Sequence, residues 1–128
     1  MKKIVFTSKD DTRLVGLWHL PEKTSFQAII LAHGITVDKD ESGIFGDLAE
    51  ALKEKGFAVF RFDFRGHGES GGKPIDMTIS GEIADLKAAV EQVKKAGYKN
   101  IGLLAASFGG GIATLYTAKN QDKIKLFY

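Results

Sequence analysis

The chain contains no cysteine. That removes disulfides, thiolate metal sites and cysteine nucleophiles, and it fits a reducing compartment, so a cytoplasmic location is expected. Strong charge of either sign is also missing. Eighteen Lys and Arg stand against 16 Asp and Glu, a formal net charge of +2 with no dense basic stripe. A nucleic-acid partner is therefore not expected. Long apolar runs are absent too. The opening Met1-Lys2-Lys3-Ile4-Val5-Phe6 stops at Thr7-Ser8-Lys9-Asp10, too short for the core of a secretion signal. No stretch could span a bilayer. There is no internal repeat, low-complexity tract or linker. The three histidines and the carboxylates show no ligand spacing, so neither a metal nor a cofactor is expected.

What remains is 128 residues, 44% hydrophobic and 27% charged, which reads as one soluble globular domain over 1–128. Lys3 to Thr7 and Arg13 to Leu20 read as strands around a turn at Asp10-Asp11, an antiparallel hairpin. Trp18 and His19 lie on it as sheet side chains. Ala28 to Ala32 is a continuous apolar run, the mark of a strand buried on both faces. It ends in His33-Gly34-Ile35-Thr36, and a polar loop follows from Val37 to Ser42. Phe45, Leu48, Ala49 and Leu52 recur at helical spacing, with Gly56 where a helix C-cap belongs. Phe57 to Phe62 is the fourth strand. Ser80 stands as an N-cap for a helix whose apolar stripe is Ile83, Leu86, Val90 and Val93, ending at Gly97. Asn100 to Ala105 is the fifth strand, and Ile124 to Tyr128 begins a sixth.

Gly66, Gly68 and Gly71 match G-x-G-x-x-G. The dinucleotide reading fails, because that fingerprint needs a helix opening at the glycines, and Lys73 to Met77 intervenes. A phosphate-binding P-loop fails as well, since His67 stands where the first glycine would be.

The chemically distinctive stretch is Ile101 to Gly111. A strand ends in small residues, one serine follows, and a helical pattern begins at once with Ile112, Ala113, Leu115 and Tyr116. Strand, sharp turn at Ser107, helix is the context of a nucleophile elbow. Such a turn needs small residues two before and two after the serine, and Ala105 and Gly109 supply them, with alanine where glycine is usual. A serine before a helix also serves as an ordinary N-cap, so the stretch taken alone leaves both roles open.

His33-Gly34-Ile35-Thr36 after the third strand, Asp63-Phe64-Arg65-Gly66-His67-Gly68-Glu69-Ser70 after the fourth, and Ala105-Ala106-Ser107-Phe108-Gly109-Gly110 after the fifth resemble the α/β-hydrolase superfamily. Within it, the chain is most similar to small serine esterases of the cinnamoyl/feruloyl-esterase and monoacylglycerol-lipase type. The resemblance covers only the N-terminal half of that family's domain. It implies an α/β fold with a mostly parallel sheet of order 1-2-4-3-5-6, an N-terminal hairpin and helices on both faces, truncated after the nucleophile helix. It implies Ser107 as nucleophile, the backbone N–H groups of Ile35 and Phe108 as oxyanion hole, and His33, Gly34, Ala105 and Gly109 as supporting motif. A small carboxylic ester is the implied substrate.

In this superfamily acid and histidine follow the serine along the chain. No histidine follows Ser107, and the only acid after it is Asp122. His67 and His33 are the candidates for a substitute base. His67 follows the fourth strand, about two strand spacings or roughly 10 Å from the fifth, which is outside hydrogen-bond reach. Two readings follow: a serine esterase whose acid and histidine lie elsewhere, weak or inactive as this chain alone, and a non-catalytic binding module that keeps the crevice. Right-handed crossovers put the helix at Phe45 to Leu52 on one sheet face and the later helices on the other. That predicts a partly bare apolar face and an open edge at Ile124 to Tyr128, and with them a homo-oligomer or a complementing C-terminal chain.

Overall fold

The computed structural model describes residues 1–128. Six strands form one sheet of order β1-β2-β4-β3-β5-β6: β1 (Lys2–Thr7), β2 (Arg13–His19), β3 (Gln27–Ala32), β4 (Ala58–Phe62), β5 (Asn100–Ala105) and β6 (Leu126–Phe127). β1 pairs antiparallel with β2, and β2 with β4. The strands β4, β3, β5 and β6 run parallel. Three helices connect them: α1 (Ile44–Glu54), α2 (Ile79–Lys95) and α3 (Phe108–Lys119). No helix is long and apolar enough to cross a membrane.

The side-chain alternation of β4 divides the core. Ala58, Phe60 and Phe62 join the larger cluster under α2 and α3, together with Leu86, Val90, Val93 and Ile112. Phe60, Phe62 and Phe64 are fully buried, each contributing roughly 1.5–3 kcal/mol by removal from water. Trp18 stacks on Phe60 at a centroid distance of 4.8 Å and on Tyr98 at 5.6 Å. Gly16 on β2 is required here, because a Cβ would run into the Phe60 ring.

The opposite face is covered by α1 alone, through Phe45 and Ala49 against Leu31 and Val59. Ile29 and Leu104 on that face stay half-buried. Toward β2 it turns polar. His19, 1% exposed, is 2.8 Å from Glu50 of α1 and accepts from Arg61 Nε at 2.9 Å. Burial, reinforced by the Arg61 charge, holds the His19 imidazole below its ordinary range, which keeps it neutral.

Two local expectations are corrected. The α2 N-cap is Thr78 and not Ser80: Thr78 is the last extended residue, and its hydroxyl accepts the Gly81 N–H at 3.0 Å. Both residues carry a hydroxyl, so only the backbone turn separates them. Within Lys73 to Met77, Pro74–Asp76 forms a 3₁₀ turn with proline at its start. The last strand is shorter than Ile124 to Tyr128, although flanking bonds from Lys125 N–H to Ile101 and from Tyr128 N–H to Leu103 continue the pairing.

Candidate active site

β3 lies between β4 and β5, so the loops leaving the carboxyl ends of these three strands converge. The connection from β3 leads away on one side and that from β5 on the other, which opens a crevice at the strand ends. Ser107 stands in it, exposed, between β5 and α3. Its backbone is at φ 52° and ψ −121°, a strained conformation for a residue with a Cβ. Its side chain makes no capping bond, so the N-cap alternative has no hydrogen bond behind it.

The loop after β3 presses against this turn. Ala106 N–H donates to Ala32 O at 3.0 Å. A Cβ on Gly34 would stand 3.2 Å from the Ser107 Cβ and 3.5 Å from the Ala106 carbonyl. A Cβ on Gly109 would collide with the carbonyl oxygens of His33 and Ala32. Gly109 is therefore small because α3 abuts the end of β3. Ala105 is half-buried at the end of β5, against the larger core.

Two amides are available beside Ser107. Phe108 opens α3, so its N–H has no intrahelical acceptor, and the helix N-terminus adds a favourable dipole. Ile35 N–H makes no hydrogen bond within the protein. Its neighbours do: Gly34 N–H donates to Glu41 Oε2 at 2.6 Å, and Thr36 N–H to His67 Nε2 at 3.3 Å.

The histidines are engaged elsewhere. His33 is fully buried, with Nδ1–H donating to Gly34 O at 2.6 Å and Nε2 accepting Phe64 N–H at 3.0 Å. Burial holds it below its ordinary range and therefore neutral. His67 donates from Nδ1 to Arg65 O at 3.0 Å while Nε2 accepts from Thr36. The two rings meet edge to face at 5.1 Å. His67, weighed above as a substitute base, thus has both nitrogens occupied by backbone groups and makes no hydrogen bond to Ser107.

The loop after β4 is a clamp of buried charge. Asp63, fully buried, accepts from Lys39 N–H at 2.7 Å, Lys39 Nζ at 2.9 Å and Glu69 N–H at 2.9 Å. Arg61 bonds Asp40 and the Lys39 carbonyl. Arg65 ties the loop to Asp85 of α2 and Asp10 of the hairpin turn, and these carboxylates raise its pKa further above the ordinary guanidinium value. Sequence reading missed Lys39, Glu41 and Asp85. Lys39 and Glu41 sit in a polar loop, and Asp85 sits beside the apolar stripe of α2, where its neighbours in sequence do not mark it as a partner of Arg65.

Two hollows flank the serine turn. One, of about 370 Å³, is lined by Ile35, Val37, His67, Pro74 and Met77. The other, also about 370 Å³, lies between Ile79 of α2 and Phe108, Ile112 and Leu115 of α3.

Comparison with known proteins gives one family. A family model described as serine aminopeptidase, S33, matches residues 23–127. The Escherichia coli protein YfhR is 33% identical over 117 residues, a match covering 85% of this chain and 39% of YfhR. The Pyrococcus furiosus esterase Pf2001 superposes with a TM-score of 0.85 at 32% identity, over 98% of this chain and 49% of that one. Est1E of Butyrivibrio proteoclasticus, solved with ferulic acid bound, superposes with a TM-score of 0.88 at 28% identity, over 97% and 50%. The chain thus spans half or less of the length of the proteins it matches. With its strand order, serine turn and family match in agreement, the chain belongs to the serine aminopeptidase (S33) family of α/β hydrolases.

Proposed function

We propose that the protein is a serine hydrolase of carboxylic esters that works through an acyl-enzyme at Ser107. The observation that carries this reading is the exposed serine at φ 52°, pressed against Gly34, with the Ile35 and Phe108 amides unpaired beside it. Ser107 Oγ attacks the ester carbonyl carbon. The carbonyl oxygen takes the negative charge, and preorganised N–H donors stabilise it. The C–O bond to the alcohol breaks, the alcohol leaves with a proton, and water later releases the acid.

A base must accept the serine proton. His19, His33 and His67 are each held by other partners. The acid and histidine therefore come from outside residues 1–128, from a further segment or a complementing chain. The half-covered sheet face and the edge strand β6, with Leu126 68% exposed, are where such a piece or a second copy docks. A cysteine-free chain of this kind suits the cytoplasm.

A fluorophosphonate followed by intact-mass measurement tests the nucleophile. Single labelling that maps to Ser107 and is lost in Ser107→Ala is expected, with weak turnover of p-nitrophenyl acetate by the chain alone. Labelling at another serine refutes the assignment. Robust turnover lost in Ser107→Ala puts a base inside the chain. Light scattering tests the docking surface, and a monomer that binds no hydrophobic dye refutes it.

A further inference from the structure

We propose that Glu41 and His67 are positioning residues of the oxyanion hole: they take the amides of Gly34 and Thr36 and so leave only the Ile35 amide for the substrate. The inference rests on the ester-hydrolase reading above and adds two residues to it.

Three consecutive N–H groups, of Gly34, Ile35 and Thr36, lie beside the serine turn. The outer two have side-chain acceptors, at 2.6 Å and 3.3 Å, and the middle one has none. A loop free to turn could bond any of the three to an oxyanion or lose them to water. Occupying the outer pair fixes the peptide planes on either side of the Gly34–Ile35 peptide, whose own carbonyl accepts from His33 Nδ1, so the Ile35 N–H is held in place before substrate arrives. Preorganisation of this kind avoids reorganisation during reaction, which is the source of oxyanion-hole catalysis.

The chain bears strain to reach this state. Thr36 sits at φ 63°, Glu41 at φ 45° and Ser42 at φ 55°, three left-handed residues with side chains within one loop. Such residues persist only where surrounding contacts over-determine them. Thr36 is held through His67. Glu41 is carried by a loop whose preceding residues Lys39 and Asp40 are clamped to Asp63 and Arg61. The His67 ring is itself aimed: Nδ1–H donates to Arg65 O, which leaves Nε2 bare as an acceptor. An imidazole in the other tautomer would oppose one N–H to another.

The charge of Glu41 is not what the site needs, because a carboxylate beside an oxyanion hole opposes the developing charge. Its acceptor oxygen is what matters. This separates Glu41→Gln, which keeps an acceptor and removes the charge, from Glu41→Ala, which removes both. Likewise His67→Gln can place an amide oxygen near the Nε2 position, and His67→Leu cannot.

The test follows the labelling rate of Ser107 by a fluorophosphonate in the full chain. The Oγ–P bond forms, the P–F bond breaks, and the hydroxyl proton leaves with fluoride into solvent. Slowing by about tenfold or more is expected in Glu41→Ala and His67→Leu, with Glu41→Gln and His67→Gln within about threefold of wild type or faster. Urea midpoints for the four variants check that the fold is kept. Equal rates in all variants overturn the inference and leave the hydrolase reading standing, as does failure of both glutamine rescues. Labelling at a serine other than Ser107 overturns the hydrolase reading and this inference with it. If the wild-type chain takes no label, or His67→Leu does not fold, ¹⁵N NMR of the wild-type histidines decides. A bare Nε2 and a protonated Nδ1 on His67 are expected, and the opposite tautomer overturns the proposal.

Discussion

Glu82 should be worth more to this protein as glutamine than as glutamate, and increasingly so as pH rises. The residue sits in the first turn of α2, 1% exposed, and neither carboxyl oxygen has a hydrogen-bond partner. Burial first, and the neighbouring Asp85 carboxylate second, push its pKa from 4.5 up to about 8, with Arg65 opposing. The folded state therefore holds a proton that the unfolded chain gives up near pH 4.5. Stability from this group is complete below the unfolded pKa and is lost as pH rises toward the folded one. Each pH unit in that window costs about 1.4 kcal/mol, so the loss from about pH 5 to about pH 7.5 is about 3 kcal/mol. Glutamine is neutral in both states and close in shape. Its unpaired amide carries a desolvation cost of the same order as the neutral acid, about 1–3 kcal/mol. Glu82→Gln should then match wild type near pH 5 and exceed it by about 3 kcal/mol near pH 7.5. Urea unfolding followed by the fluorescence of Trp18, which is buried in the larger core, measures both curves. A stability difference that stays constant across that range would refute the buried-proton account.

Other outcomes follow from single contacts. Gly109→Ala forces a Cβ into the His33 and Ala32 carbonyls and should cost about 3 kcal/mol or more, with loss of Ser107 labelling, in the same two assays. Lys39→Met leaves Asp63 buried without its cation and should cost about 3–5 kcal/mol by urea titration. Lys3→Ala at the exposed partner of Glu69 should cost under about 1 kcal/mol in the same titration, and comparable losses would contradict the assigned burial. Ile35→Ala keeps the backbone donor, so fluorophosphonate labelling should stay within about threefold, whereas a large loss would mean the side chain and not the amide matters.

Local patterns were enough for most elements and for the strand-to-helix turn at Ser107. The apolar run Ala28 to Ala32 announced a doubly buried strand, and Gly56 and Gly97 marked helix ends, where they adopt φ 96° and 104°. Ser107 was legible because a strand-to-helix turn is encoded within a few neighbouring residues. The strand order came from resemblance to a family and not from the pattern of the chain. Even local capping was only half readable, since Thr78 and Ser80 offer the same hydroxyl two positions apart. The rest of the site depends on distance along the chain. Glu41 reaches Gly34 across 7 residues, Lys39 reaches Asp63 across 24, and His67 reaches Thr36 across 31. Nothing near Glu41 in sequence distinguishes it from the acids around it. Only insertion of β3 between β4 and β5 brings these loops to one end of the sheet, and there hydrogen-bond geometry and burial decide which carboxylate accepts an amide, which histidine nitrogen is bare and which acid keeps its proton.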